Sequence, residues 1–267
     1  MEDNQAMKIT FLTAEEAQEY FKEPDEYAKR LPLSNLKMID PRNPTLDNYM
    51  NIFRKSFKNF SPSDKKNIEN YASFLEDLNI EVKLVATKQS HSLDITQTRK
   101  DVIVVAGGRI GYSTFVHEVY HIISRKYPGI TPTLASWFGF QQIKPVEVED
   151  EFHILNPDSV LNEYEISLVD PDSGDRINAV PYMIMGLRPK LQDKNGKSLD
   201  EKWIQIYKQY IPHTSYVAQP EEICAEYFAK LFAGSCLFPS SNKNNSQFFE
   251  YFEREIEVQL RKYGVIK

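Results

Sequence analysis

The sequence predicts an α+β fold, and three observations carry that reading. Both ends of the chain hold amphipathic helical patterns with recognisable start signals, while the middle holds runs with the period-two or continuous β-branched character of strands. Between them, "STFVHEVYHIISRKYPG" (Ser113 to Gly129) reads as a helix carrying His-Glu-x-x-His. A chain of 267 residues can bury a sizeable core. We read it as one domain: a helical part over 1–78, strands and the histidine helix over 79–128, a β-rich insertion over 129–212, and two further helices over 213–267.

In the N-terminal part, Thr13 with Glu16 forms a capping box that opens "AEEAQEYFKEPDEYAKRL", and Pro24 is expected to divide that segment. Ser61 as N-cap and Pro62 at N1 open "SPSDKKNIENYASFLEDL", where Ile68, Tyr71, Ala72, Leu75 and Leu78 share one face. "NIEVKLVATK" alternates Ile80, Val82 and Leu84 with Glu81 and Lys83, the mark of a half-buried strand. "DVIVVAGG", ended by glycines, reads as a fully buried one. Ser113 or Thr114 is placed to cap the histidine helix, whose apolar stripe is Phe115, Val119 and Ile122. The insertion contains "LASWFGF", the acidic "VEVEDE", and two strands, "EYEISLV" and "INAVPYMIM", joined by the turn-rich "DPDSGD". "QPEEICAEYFAKLF", with Pro220 at N1, and "SQFFEYFEREIEVQL", with Phe249, Phe252, Ile256 and Leu260 on one side, close the chain as helices.

Composition removes several functional classes. The net charge is −6 and Lys and Arg are scattered, so the electrostatic footprint of a nucleic-acid binder is missing. No stretch approaches the roughly 18 consecutive apolar residues of a membrane span, and the acidic start "MEDNQAMKITFL" does not resemble a secretory signal. A cytoplasmic setting is expected, consistent with two cysteines, Cys224 and Cys236, too few for a disulfide framework.

On a helix, residues four apart stand one above the other, so His117 and His121 can offer their imidazoles to one ion. Glu118 is rotated by about 100° from His117, off that line but within reach of a water beside the ion, which makes it the candidate general base. A catalytic zinc takes three protein ligands and keeps one position open. Ser124 and Tyr127 stand where a glycine and a third histidine would extend the motif, so the third ligand comes from elsewhere. The candidates are Glu147, Glu149, Asp150, Glu151, His153, His213, Glu221, Glu222 and Glu226. The last helix pair is favoured, because Glu222 and Glu226 share a face: one can bind metal while the other orients a ligand imidazole. His91 and His153 read as ordinary surface or core residues.

"HEVYH" followed by "TSYVAQPEEICAEYFAKLF" resembles the gluzincin metallopeptidases, the catalytic domain of anthrax lethal factor among them. The resemblance covers the two metal-bearing helices and the loop before the second. It implies a zincin-like fold, with a mixed sheet packed on the His-Glu-x-x-His helix and an edge strand that pairs with an extended peptide or protein substrate. Either "IEVKLVATK" or a strand of the insertion is expected to serve as that edge. It also implies Zn2+ held by His117, His121 and Glu222, Glu118 as base, Glu226 as the carboxylate behind the ligands, and Tyr216 as oxyanion donor with His213 as the alternate. The rival reading is a zinc-containing binding module with a non-catalytic site. Glu118 separates the two, since a purely structural zinc has no use for a base.

Overall fold

A computed structural model of the chain describes residues 7–88, 95–144, 146, 148, 150, 152–158, 163–184, 188–210, 219–233 and 246–267. The chain is α+β, with two separate sheets. It opens on β1 (Lys8–Phe11), a strand inside the part expected to be helical. Four residues are too few to show a period, and pairing alongside a later strand decides their conformation. Thr13 then caps α1 (Ala14–Tyr20) with both bonds of the capping box, Thr13 Oγ1 accepting from Glu16 N at 3.2 Å and Glu16 Oε2 from Thr13 N at 2.7 Å. The helix stops before Pro24, and Asp25 caps α2 (Glu26–Lys29). Next come α3 (Leu33–Ile39), α4 (Leu46–Ser56), the short β2 (Phe57–Lys58), and α5 (Pro62–Ser73) on its Ser61 cap.

The first sheet is mixed. β3 (Glu81–Thr87) lies between β1 and β2 on one side and β5 (Val102–Val105) on the other, and β4 (Gln97–Arg99) forms the far edge, antiparallel to β5. β3 alternates as expected as far as Leu84, with Glu81 exposed, Lys83 half-buried and Val82 and Leu84 buried, is then buried on both faces, and as a central strand is not free to receive a substrate strand. Alternation along β5 sends Ile103 and Val105 to one core and Val102 and Val104 to another. The first core also holds α6 (Tyr112–Lys126), the histidine helix. The second is filled by α1, α2 and α4. α6 begins at Tyr112 with Gly111 in the cap position, earlier than the expected Ser113 or Thr114; glycine is accepted there because its open backbone can be solvated.

The region after α6 is richer in helix than its composition suggests. "LASWFGF" falls on the end of α7 (Ile130–Ser136) and the turn into β6 (Phe140–Ile143). β7 (His153–Ile154), β8 (Glu163–Val169), β9 (Arg176–Ile184) and β10 (Arg188–Gln192) complete an antiparallel sheet in the order β10-β9-β8-β6, with β7 also on β9. The β8–β9 turn is fastened by Asp170, whose carboxylate accepts from Asp172 N at 3.0 Å and Ser173 Oγ at 2.6 Å. Then follow α8 (Glu201–Tyr210), α9 (Pro220–Ala233) and α10 (Ser246–Lys262). Residues of both sheets and of α5 to α10 share one apolar core. Among the described residues, no helix is long and apolar enough to cross a membrane.

β4 is polar in sequence and buried in the fold. Arg99, 1% exposed, donates from Nε and Nη2 to the two oxygens of Asp25 at 2.8 and 2.6 Å and from Nη1 to Tyr49 Oη at 2.8 Å. Its guanidinium also lies over the rings of Tyr27 and Phe53. Burial would raise the Asp25 pKa, but Arg99 outweighs it and holds the carboxyl below its ordinary range. This pair bolts α2 and α4 to the sheet edge. Asp25→Ala leaves a buried guanidinium without its anion and is expected to destabilise the fold by about 3–5 kcal/mol, measurable from the denaturant midpoint.

Candidate metal centre

α6 is buried on every side from Phe115 to Ser124, and α9 packs along it, buried from Pro220 to Ala229. The i,i+4 spacing on each helix turns this contact into a cluster of polar side chains. His117 and His121 bring their Nε2 atoms 3.1 Å apart. Glu222 Oε2 stands 3.1 Å from His117 Nε2 and Glu222 Oε1 3.6 Å from His121 Nε2. One turn further along α9, Glu226 Oε1 is 3.3 Å from His117 Nδ1, so the two glutamates address opposite edges of one ring. Cys224, between them in sequence, turns away toward the Tyr120 hydroxyl.

Glu118 points to the sheet edge, where Thr98 Oγ1 donates to its Oε2 at 2.7 Å. Thr98 N in turn donates to Asp158 Oδ1 at 2.7 Å, and Asn156 Nδ2 donates to Glu222 Oε1 at 2.7 Å. Two sets of ligating atoms lie within 4.8 Å of one another among the described residues: His117, His121 and Glu222, and beside them Glu118, His121 and Asp158.

Burial and charge act on these groups in opposite directions. Burial pushes Glu118 up to about 7 against the pull of His117 and Thr98. Burial and the charges of Glu118 and Glu222 raise Asp158 well above its ordinary value. His121 is held neutral by burial, down to about 3. His117, equally buried, is raised because Glu222 and Glu226 both bond its ring. Burial opposes the charge on Glu222, yet the two histidines and Asn156 outweigh it and lower its pKa.

These residues fit a divalent cation. Two Nε2 atoms 3.1 Å apart, with Glu222 Oε2 3.1 Å from that of His117 and Glu222 Oε1 3.6 Å from that of His121, converge on one point and can be satisfied by one shared cation. Four carboxylates, Glu118, Asp158, Glu222 and Glu226, are buried around them, and Arg125 stands 3.8 Å from Asp158. Two nitrogens and one oxygen, all on buried side chains, are a donor set suited to zinc.

The other candidate ligands are elsewhere. His153 lies on β7 against the Tyr182 ring, its pKa lowered by burial to about 4, and Asp150 accepts from Tyr182 Oη at 3.1 Å. Glu221 lines a cavity of about 350 Å³ with Tyr164, Leu155 and Val180. His91, Glu147, Glu149, Glu151, His213 and Tyr216 lie outside the described residues. Sequence reasoning missed Thr98, Asn156 and Asp158. The Asn-Pro dipeptide marks a turn at 156–157, but nothing local shows that the turn faces Glu222. Compared with family models, curated proteins and solved structures, the chain finds no match.

A carboxyl whose folded pKa is raised stabilises the fold fully below its unfolded value, and that stabilisation is lost as pH rises through the folded pKa. For Glu118 the window runs from about 4.5 to about 7. In chelator-treated protein, Glu118→Gln is therefore expected to gain stability relative to wild type progressively across that window, read from denaturant midpoints at stepped pH.

Proposed function

We propose that the chain is a zinc-dependent metallopeptidase of the zincin-like, gluzincin type, folded as a single catalytic domain and cutting peptide bonds. The observation that supports this is the convergence of His117, His121 and Glu222 with a carboxyl group, Glu118, poised alongside the same cluster. The free, buried thiol of Cys224 goes with a reducing, cytoplasmic setting.

His117, His121 and Glu222 would hold the metal. Zinc bound there supplies Lewis acidity, bringing the pKa of a water toward about 7 and polarising a carbonyl. Glu118 takes the proton of the attacking water and returns it to the departing amine. Its carboxylate is oriented by the Thr98 hydroxyl. Glu226 fixes the ring of His117 from behind. β3 is central in its sheet, so of the two edges expected to meet an extended substrate, a strand of the insertion is the one left in this reading. The oxyanion donor in this reading is Tyr216, or His213 in its stead.

Purified protein is expected to carry one zinc per chain, falling sharply in His121→Ala. Glu118→Gln should keep the zinc and lose nearly all cleavage of a diverse peptide library, read by mass spectrometry, because the amide cannot take a proton. Near-normal cleavage by that variant would sink the mechanism. Tyr216→Phe should lower kcat by about 10²–10³-fold with KM and zinc content little changed.

A further inference from the structure

Asn156 and Asp158, on either side of Pro157, reach the cluster from the insertion, and the chemistry above gives them no task. Their segment is held in shape from several directions. Asp158 N donates to Asn156 Oδ1 at 2.9 Å, which closes the turn. Pro157 O accepts from Arg125 Nη2 at 2.8 Å, while Arg125 Nη1 donates to Lys100 O at 2.8 Å in the turn between β4 and β5. The segment is thereby tied to α6, which carries Arg125, and to the hairpin that carries Thr98.

From that fixed frame two side chains act on two different groups. Asn156 Nδ2 donates to Glu222 Oε1 at 2.7 Å and also to Gln219 Oε1, just ahead of α9. A carboxylate can rotate about its last bond, and an amide donor on one oxygen leaves the other directed at the histidines. Asp158 acts at one remove. Its Oδ1 takes the N–H of Thr98 at 2.7 Å on the outer edge of β4, and the Thr98 hydroxyl is what orients Glu118. Both Thr98 and Asp158 are buried, so no water replaces these bonds if one partner is removed.

We propose that the Asn156–Asp158 segment is a positioning clamp for the metal centre: Asn156 sets Glu222 as ligand, and Asp158, through Thr98, sets Glu118 as base. This rests on the metallopeptidase reading. It also gives the insertion a role in the reaction, since one of its turns spans the ligand on α9 and the base on α6.

The test separates the two arms by readout. Asn156→Ala should raise the zinc Kd by about 10–100-fold, measured by competition with a chromophoric chelator, whereas Asp158→Ala and Thr98→Val should leave it within about threefold. Those two variants should instead lower kcat by about 10–100-fold at unchanged KM, and the double variant should be no worse than the poorer single one, because both break one relay. Asp158→Asn, which keeps an acceptor oxygen, and Thr98→Ser, which keeps the hydroxyl, should recover most of kcat, so that loss of fold in the harsher variants is recognised. The clamp is overturned by a wild-type zinc Kd in Asn156→Ala, by losses that multiply in the double variant, or by Asp158→Asn as poor as Asp158→Ala. A wild type that binds zinc and cuts no peptide removes the peptidase reading, and the chelator measurement on Asn156→Ala then decides the clamp alone.

Discussion

A stretch of helix with no solvent face has no water to offer its polar side chains, and α6 from Phe115 to Ser124 is such a stretch. His117, Glu118, Tyr120, His121 and Ser124 all sit inside the protein, where an unmatched polar group costs more than a matched one returns. The surroundings follow from that constraint. Thr131 meets Tyr120 at 2.9 Å, Ser124 turns back to the carbonyl of His121 at 3.1 Å, and Thr98 meets Glu118. α9 supplies two carboxylates on one face, with the small residues Cys224, Ala225 and Ala229 letting the helices lie close enough for both to reach His117.

What the sequence made legible was whatever repeats locally. The histidine spacing on α6, the glutamate spacing on α9 and the caps at Thr13 and Ser61 are patterns of three or four residues, and they sit where the helical period puts them. β4 was invisible because it breaks the usual correlation: Gln97, Thr98 and Arg99 look like loop residues, yet all are buried, and Thr98 and Arg99 are bonded to partners that sequence order does not bring near. Asp25 is 74 positions from Arg99 and Asp158 is 60 from Thr98, so no window along the chain contains both halves of either pair. The short β1 failed for a related reason, since its conformation is set by β3 alongside it.

β4 is the part that connects the layers. Its outer edge is taken by Asp158 at Thr98, the Thr98 hydroxyl leads to Glu118, and Arg99 anchors the N-terminal helices in the second core. Its tight turn into β5 places Lys100 at φ 53°, a left-handed backbone that a lysine adopts at a cost. The turn is held there by Arg125 from α6 and by the Lys100 side chain on the Tyr20 carbonyl. Helix, hairpin and insertion therefore fix one another's positions around Glu118.

His117 and Glu222 are 105 positions apart, and the segments that orient them come from further stretches of chain. Bringing such distant parts together carries a loop-closure entropy that no local contact repays, so these bonds form after the helices and hairpins they join. The centre is thus a product of folding and not a seed for it. Unlike small domains that collapse around their metal, this chain has a large apolar core of its own. It can reach its shape without an ion, with the side chains of His117, His121 and Glu222 already brought together.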